Sequence, residues 1–297
     1  MGLNSQNLFS EPGLKEIITN YTKHWKWFVL SVLVALAIAY VKLRYSVPEY
    51  AAEAKIQILD DKNSTSELST FQDLGIVPGG ANKVEDEIQI INSRSNFIEV
   101  VKKLGLNVKI TSLGKILDSE IYQNPPFKVN FIAKDSIVNN AQFAFFITLS
   151  NATTFGYTEQ EDMPLKAYAY GKNINTPIGD IVITPNVADI TGYADKKYMV
   201  SVTPVVMVAQ QYQKKVIVSP ASEYSNILNI SLNDPIQKKA NDIINTLVET
   251  YNNNAIADRK AIADRTSEFI NDRITDIYSN LSVQDQSEED YKAGRGI

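Results

Sequence analysis

The chain has 297 residues, with 29 Lys and Arg against 34 Asp and Glu, for a formal charge of −5. Its basic residues are scattered rather than clustered, which excludes a nucleic-acid surface built on a basic patch. Cysteine is absent, so disulfides, thiolate metal sites and cysteine nucleophiles are excluded as well.

Residues 1–24 form a short tail in which Leu14, Ile17, Ile18 and Tyr21 recur at helical spacing. This fits either a small amphipathic helix on a membrane surface or an irregular lead-in. Trp25 to Leu43, WKWFVLSVLVALAIAYVKL, comes next, with no charged residue between Trp27 and Val41. Nineteen residues at a rise of about 1.5 Å extend about 28 Å, close to the hydrocarbon thickness of a bilayer. Trp25 and Trp27 at one end and Tyr40 and Tyr45 at the other suit the two headgroup levels, and Lys26, Lys42 and Arg44 can snorkel outward. Residues 25–44 are therefore predicted to form one transmembrane helix.

A buried core helix would carry a polar stripe, which this segment lacks. A cleaved signal would have its basic end within the first few residues and a small-x-small site after the apolar run. Here 24 residues precede Trp25, and Ala37-Ile38-Ala39 lies inside the run. Lys15, Lys23 and Lys26 before the span balance Lys42, Arg44 and Lys55 after it, so charge does not set the orientation. Bulk does: the short tail is expected to stay cytoplasmic while the large C-terminal part crosses.

Pro48 breaks the helix. Tyr50 to Leu59 then alternates, Ala52, Ala54, Ile56 and Ile58 against Glu53, Lys55 and Gln57, as a half-buried strand does. A polar loop follows. Its Gly75 and Gly80 have P-loop spacing, but Ala81 and Asn82 stand where Lys and Ser or Thr are required, so it reads as an ordinary loop. Asn82 with Glu85 marks a helix start, and Val84, Ile88, Ile91, Ile98, Val101 and Leu104 keep a helical period as far as Gly105. Asn92-Ser93-Arg94-Ser95 is a point where this helix can divide in two. Arg94 is readable as an anion ligand or as a solvated cation.

From Leu106 to Ser219 short strands alternate with turns. Residues 127–132, 143–149, 166–170, 181–183, 198–208 and 216–218 read as strands. Phe143, Phe145, Phe146, Tyr168 and Tyr170 fall at strand period and are expected to pack a core rather than to form a sugar-stacking platform. Ser225 to Leu232 is a further strand. It runs into Asn233-Asp234-Pro235, where Asp234 is a strong N-cap, Pro235 suits the first helical turn and Gln237 completes a capping-box pattern. Apolar positions at Ala240, Ile243, Ile244, Leu247, Val248 and Tyr251 resume at Ala255, Ile262, Phe269, Ile270, Ile274, Ile277 and Leu281. No Pro or Gly interrupts the stretch, so one helix of forty or more residues is expected, half of a projecting hairpin or bundle. It ends in YKAGRGI without a folding signal, as a fragment would.

The stretches RYSVPEYAAEAKIQILDD, VEDEIQIINSRSNFIEVVKKLGL and ISLNDPIQKKANDIINTLVETYNNNAIADRKAIADRTSEFINDRI resemble, in this order, the Wzz-type polysaccharide chain-length determinants, or polysaccharide co-polymerases. In particular the chain is similar to the N-terminal half of the Bacteroidetes-type tyrosine autokinases of capsule and exopolysaccharide export. The resemblance implies a cytoplasmic N-terminus, a periplasmic bulk from about Tyr45 onward, a second span returning the chain, and a ring-forming homo-oligomer. It also implies work with the polysaccharide polymerase and export machinery. Autokinases add a cytoplasmic kinase domain with Walker-type motifs, and none of these motifs is in this sequence.

The expected fold is an α+β membrane protein. Its parts are a tail (1–24), a span (25–44), an α/β base (45–112 and 214–233), an inserted β-rich module (113–213) and a long, truncated helix (234–297). The insert is larger than the resemblance explains. The favoured function is an oligomeric scaffold in the inner membrane. A periplasmic adaptor of an efflux or secretion system is the alternative; it would show lipoyl-like half-motifs around a complete helical hairpin. An enzyme is disfavoured. The single His24 lies at the membrane edge, and Asp60-Asp61 and Glu288-Glu289 lack the spacing of a metal loop. No catalytic, cofactor-binding or metal-ligating residue is assigned, and no cofactor is expected.

Overall fold

Residues 23–58, 83–161, 163–222 and 225–295 are described by the structure, a computed structural model. The chain divides at Pro48 into two units, Met1–Pro48 and Glu49–Ile297. In the first, α1 (Trp25–Arg44) is a single helix exposed along its whole length, long and apolar enough to cross a membrane. Ser31, its one aliphatic hydroxyl, turns its Oγ back to donate to the carbonyl of Phe28 at 2.9 Å. That internal bond is how a lone hydroxyl is tolerated on an apolar helix. The tail as far as residue 22, the strand end at Leu59, the P-loop-like loop, Asp60-Asp61 and the Asn82 helix start lie outside the described residues.

The second unit begins with β1 (Tyr50–Gln57), the edge strand of a three-stranded antiparallel sheet with β12 (Ile227–Asp234) at its centre and β11 (Ile217–Pro220) on the far side. Tyr50 pairs with Asp234 and Gln57 with Ile227. The two-residue period puts Ala52, Leu228, Ile230 and Leu232 on one face, all buried. Four helices cover that face: α2 (Lys83–Ile91), α3 (Arg94–Leu104), α5 (Val205–Lys215) and the first turns of α6 (Gln237–Arg295). Phe97, Val100, Val208, Ala209, Ile243 and Leu247 fill the resulting core. We refer to this part as the helical layer.

The predicted break between α2 and α3 is present. Ser93 caps α3, its hydroxyl accepting from the Asn96 amide at 3.5 Å. Gly105 closes α3 in the left-handed conformation, φ 63°, which glycine adopts without Cβ strain.

The remaining strands form a second layer. β3 (Ser119–Glu120), β2 (Val108–Ser112), β10 (Lys197–Val202), β5 (Phe143–Leu149), β6 (Thr154–Thr158) and β7 (Lys166–Ala169) make, in that order, a six-stranded antiparallel sheet. A smaller sheet runs β4 (Phe127–Phe131), β9 (Gly179–Pro185), β8 (Asn173–Thr176). One helical turn, α4 (Asp135–Val138), follows β4. Both sheets contribute to one core through Phe127, Ile174, Ile181 and Ile183 from the small sheet and Phe145, Ile147, Phe155 and Tyr198 from the large one. Aromatic edges interlock there: Phe127 meets Tyr198 edge-on at 5.4 Å, and Phe155 lies 5.0 Å from Tyr170. We call this the strand layer.

Four expectations change. Residues 198–208 are not one strand: β10 stops at Val202, and α5 begins after Pro204, whose fixed φ sets the helix start. The β-branched run of Val202, Val205 and Val206 hides that boundary from a propensity reading. Consequently α5, within 113–213, packs in the helical layer, whereas β2, within 45–112, is hydrogen-bonded into the large sheet of the strand layer. Phe146 leaves the aromatic core, because on a strand whose Phe145 and Ile147 point inward the residue between them points to the opposite face. Finally β6 and β8 are strands beyond those read from the sequence, each held by antiparallel pairing with its neighbours.

The period-two assignment has a measurable consequence. Phe145→Ala should lower stability by about 3–5 kcal/mol through the cavity it leaves. Phe146→Ala should cost clearly less, both read by thermal or urea unfolding of the detergent-solubilised chain.

Candidate functional site

The junction of β12 with α6 is the most densely charged interior point among the described residues. Asp234 ends β12 almost wholly buried, and its Oδ1 accepts from the amide of Ile236 at 2.9 Å, starting the helix. One turn on, Lys239 is 4% exposed, and its ammonium donates to Glu120 Oε1 at 2.8 Å and lies 3.1 Å from Asp234 Oδ1. Lys109 reaches the other Glu120 oxygen at 3.3 Å. The Tyr122 hydroxyl donates to Asp242 Oδ2 at 3.1 Å, while Lys238 donates to Asp242 Oδ1 at 2.7 Å.

Burial alone would pull the Lys239 ammonium down, yet the Tyr212 oxygen, Glu120 and Asp234 outweigh it and hold Lys239 above its ordinary value. Burial raises the Tyr212 phenol, and Asp234 and Glu120 add to the rise while Lys239 opposes it. Tyr122 is raised too, first by burial and then by the Asp242 carboxylate it donates to. All three side chains line a cleft of ≈ 430 Å³, together with Gly105, Glu120 and Lys215. Lys215 stands over the Tyr212 ring at 5.8 Å.

The root of α6 is fastened in a second place. Asn96, 3% exposed, donates to the Ile90 carbonyl at 2.8 Å and accepts from Asn254 Nδ2 at 3.0 Å. Tyr251 donates to Glu87 at 2.6 Å. Beyond this point the helix leaves its support: every residue from Ile256 to Gln284 is exposed. Ile270, Ile274, Ile277 and Leu281 recur there at spacings of four, three and four, the seam a second helix would cover.

The residues weighed from sequence are not brought together. His24 precedes α1, and its carbonyl accepts from the Trp27 amide at 2.9 Å. Arg94 is exposed at the start of α3. Glu288 and Glu289 fall within α6. Among the described residues no group of three or more His, Cys, Asp or Glu is placed to hold a metal. Sequence reasoning missed Lys239, Glu120, Tyr122 and Asn96. One signal for Lys239 was legible: it lies four residues before Ile243 and eight before Leu247, a charge on the apolar stripe.

Residues 12–104 match the family model described as Wzz, chain length determinant protein. Over these residues the chain is similar to the Wzz-type chain length determinants. That match ends at Leu104, the last residue of α3 and the last before the chain enters the strand layer. Over most of its length the chain is also similar to two curated proteins. Tyrosine-protein kinase ptk of Acinetobacter johnsonii is 19% identical over 289 residues, covering 92% of this chain and 39% of that protein. Tyrosine-protein kinase wzc of Salmonella typhi is 22% identical over 266 residues, covering 87% of this chain and 36% of that protein. The chain thus spans less than two-fifths of the length of these relatives. Among solved structures, Xanthomonas campestris FlgL aligns with 54% of this chain and 46% of its own at 14% identity, with a TM-score of 0.20, too low to carry an argument.

Removing the buried cation should be costly, because it leaves Asp234 charged and unpaired. Lys239→Ala should lower stability by about 3 kcal/mol. The alkaline response has a definite sign. Since folding raises this pKa above 10.5, its contribution is complete below pH 10.5 and is lost as pH rises through the folded value. The melting-temperature gap between wild type and Lys239→Met should therefore narrow only above pH 10.5.

Proposed function

We propose that this chain is the membrane-anchored, non-catalytic part of a polysaccharide co-polymerase that controls chain length or export of a capsular or exopolysaccharide. The observation that carries the reading is the match of residues 12–104 to the chain length determinant family. The exposed apolar helix α1 and the long helix α6 agree with it. The two tyrosine-protein kinase relatives support a further step: a cytoplasmic kinase domain follows in the full-length protein.

In this reading α1 is an inner-membrane anchor. The N-terminus is cytoplasmic and the unit from Glu49 onward is periplasmic. The helical layer is the base of a chain-length determinant, and the strand layer is a module inserted into it. Copies assemble side by side into a ring with their long helices directed away from the membrane, and meet the polymerase and export machinery there. Such a scaffold works by holding copies in a fixed arrangement, which demands a rigid base rather than a nucleophile. The base supplies that rigidity through a sheet closed by residues far apart in sequence and through helices with fully buried faces.

Three measurements test this. An alkaline phosphatase fusion at Asn151 should be active and a cytosolic reporter at the same site silent; the reverse pattern overturns the topology. Deleting the gene should change the modal length or amount of surface polysaccharide on a gel, and the detergent-extracted protein should have the mass of a large oligomer. An unchanged polysaccharide profile together with a monomeric mass would defeat the scaffold reading.

A further inference from the structure

The helical and strand layers have separate cores with no fully buried residue in common. The chain crosses between them twice, at residues 105–107 and 203–204, and the two crossings are bonded to each other: the Thr203 amide donates to the Asn107 carbonyl at 2.8 Å. That bond continues the β2–β10 ladder, whose last pair is Val108 with Val202, so the link is a two-stranded ribbon. Gly105 at φ 63°, with open space where a Cβ would be, starts one strand of it, and Pro204 ends the other. A two-stranded ribbon resists stretching but bends readily out of its plane, so it leaves one rotation between the layers undetermined. A backbone bond from Val205 to the Asn139 carbonyl, 2.8 Å, lies beside the same pivot.

The second point of attachment is polar. Glu120 and Tyr122 are two residues apart and so share one face of an extended segment. Lys239 and Asp242 are three apart and share one face of the root of α6. The pairs match one to one, Glu120 with Lys239 at 2.8 Å and Tyr122 with Asp242 at 3.1 Å. Between ribbon and polar pairs lies the ≈ 430 Å³ cleft, bounded by Gly105 and Leu106 on the ribbon side and by Glu120, Tyr122 and Lys239 on the other. The facing surfaces are therefore not close-packed, and little apolar burial would be lost on opening.

We propose that the strand layer is a hinged unit, and that Glu120–Lys239 and Tyr122–Asp242 form a clasp that sets its angle against the root of the long helix. Opening the clasp releases rotation about the ribbon while leaving both cores intact. Lys239 keeps a carboxylate neighbour in the open state, because Asp234 stays 3.1 Å away within the helical layer. The open form therefore strands no buried ammonium. The device belongs to this chain's own mechanics and does not depend on the co-polymerase reading.

The absence of cysteine makes the test direct. Spin labels are attached at Asn151→Cys, in an exposed loop of the strand layer, and at Asn252→Cys, exposed on α6. Distances are measured by pulsed electron resonance in the full chain in detergent. With the clasp intact, one narrow distance peak is expected. The double variant Glu120→Gln, Tyr122→Phe, which spares the Lys239–Asp234 pair, should broaden or split that peak. Molar salt should broaden the wild-type peak in the same direction, because Glu120 is partly solvent-exposed and its pair is screened. Unchanged distances in the double variant, with circular dichroism showing a folded protein, would overturn the hinge even if the melting temperature fell. That outcome would make the contact a stabilising one only.

Discussion

The antiparallel pairing of β1 with β12 is the constraint on which the Glu49–Ile297 unit depends. It joins residues about 180 positions apart in the chain, Tyr50 to Asp234 at one end and Gln57 to Ile227 at the other. Loop-closure entropy grows only logarithmically with length, so a long excursion between the two strands costs little more than a short one. The ladder and the face it buries, Ala52 with Leu228, Ile230 and Leu232, offset that cost. Because β12 runs directly into Asp234 and the long helix, the same pairing fixes where α6 begins and in which direction its first turns lie.

The strand layer follows from that arrangement. Between β1 and β12 the chain can leave the helical layer, provided it returns in register to deliver α5 and β11. It does so through a bonded pair of crossings, so the layer needs a core of its own, and its aromatic side chains supply one. Charge then holds what apolar packing does not. The Lys239 cluster lies where the two layers meet around a cleft. Burial and neighbouring carboxylates raise the Tyr212 and Tyr122 phenols, while Tyr212, Glu120 and Asp234 hold the Lys239 ammonium up against the pull of burial.

The long helix depends on its root. Helix nucleation is unfavourable and propagation is not, so turns held by Asp234, Asn96 and Tyr251 can template many that touch nothing. Thr266 and Thr275 donate to the carbonyls of Ile262 and Asn271, each at 2.9 Å, and so keep their hydroxyls within the helix. Ile270, Ile274, Ile277 and Leu281 form an exposed apolar row along this unsupported part of the helix.

The sequence by itself determined whatever depends on neighbours along the chain. The apolar run of α1, the alternation of β1 and β12, the break at Ser93, the Gly105 stop and the Asp-Pro start of α6 were all legible, because caps and periodicities are local. So was the resemblance carried by these stretches in order. Tertiary structure decided the rest. It moved Phe146 out of a core that Phe145 enters, placed β2 and α5 in layers opposite to those expected, and added the strands β6 and β8 to those read from the sequence. It alone brought Glu120 to Lys239 and Asn96 to Asn254, across separations of more than a hundred residues. No local pattern encodes such a pairing, since the energy that fixes it comes from burial and charge shared between distant elements.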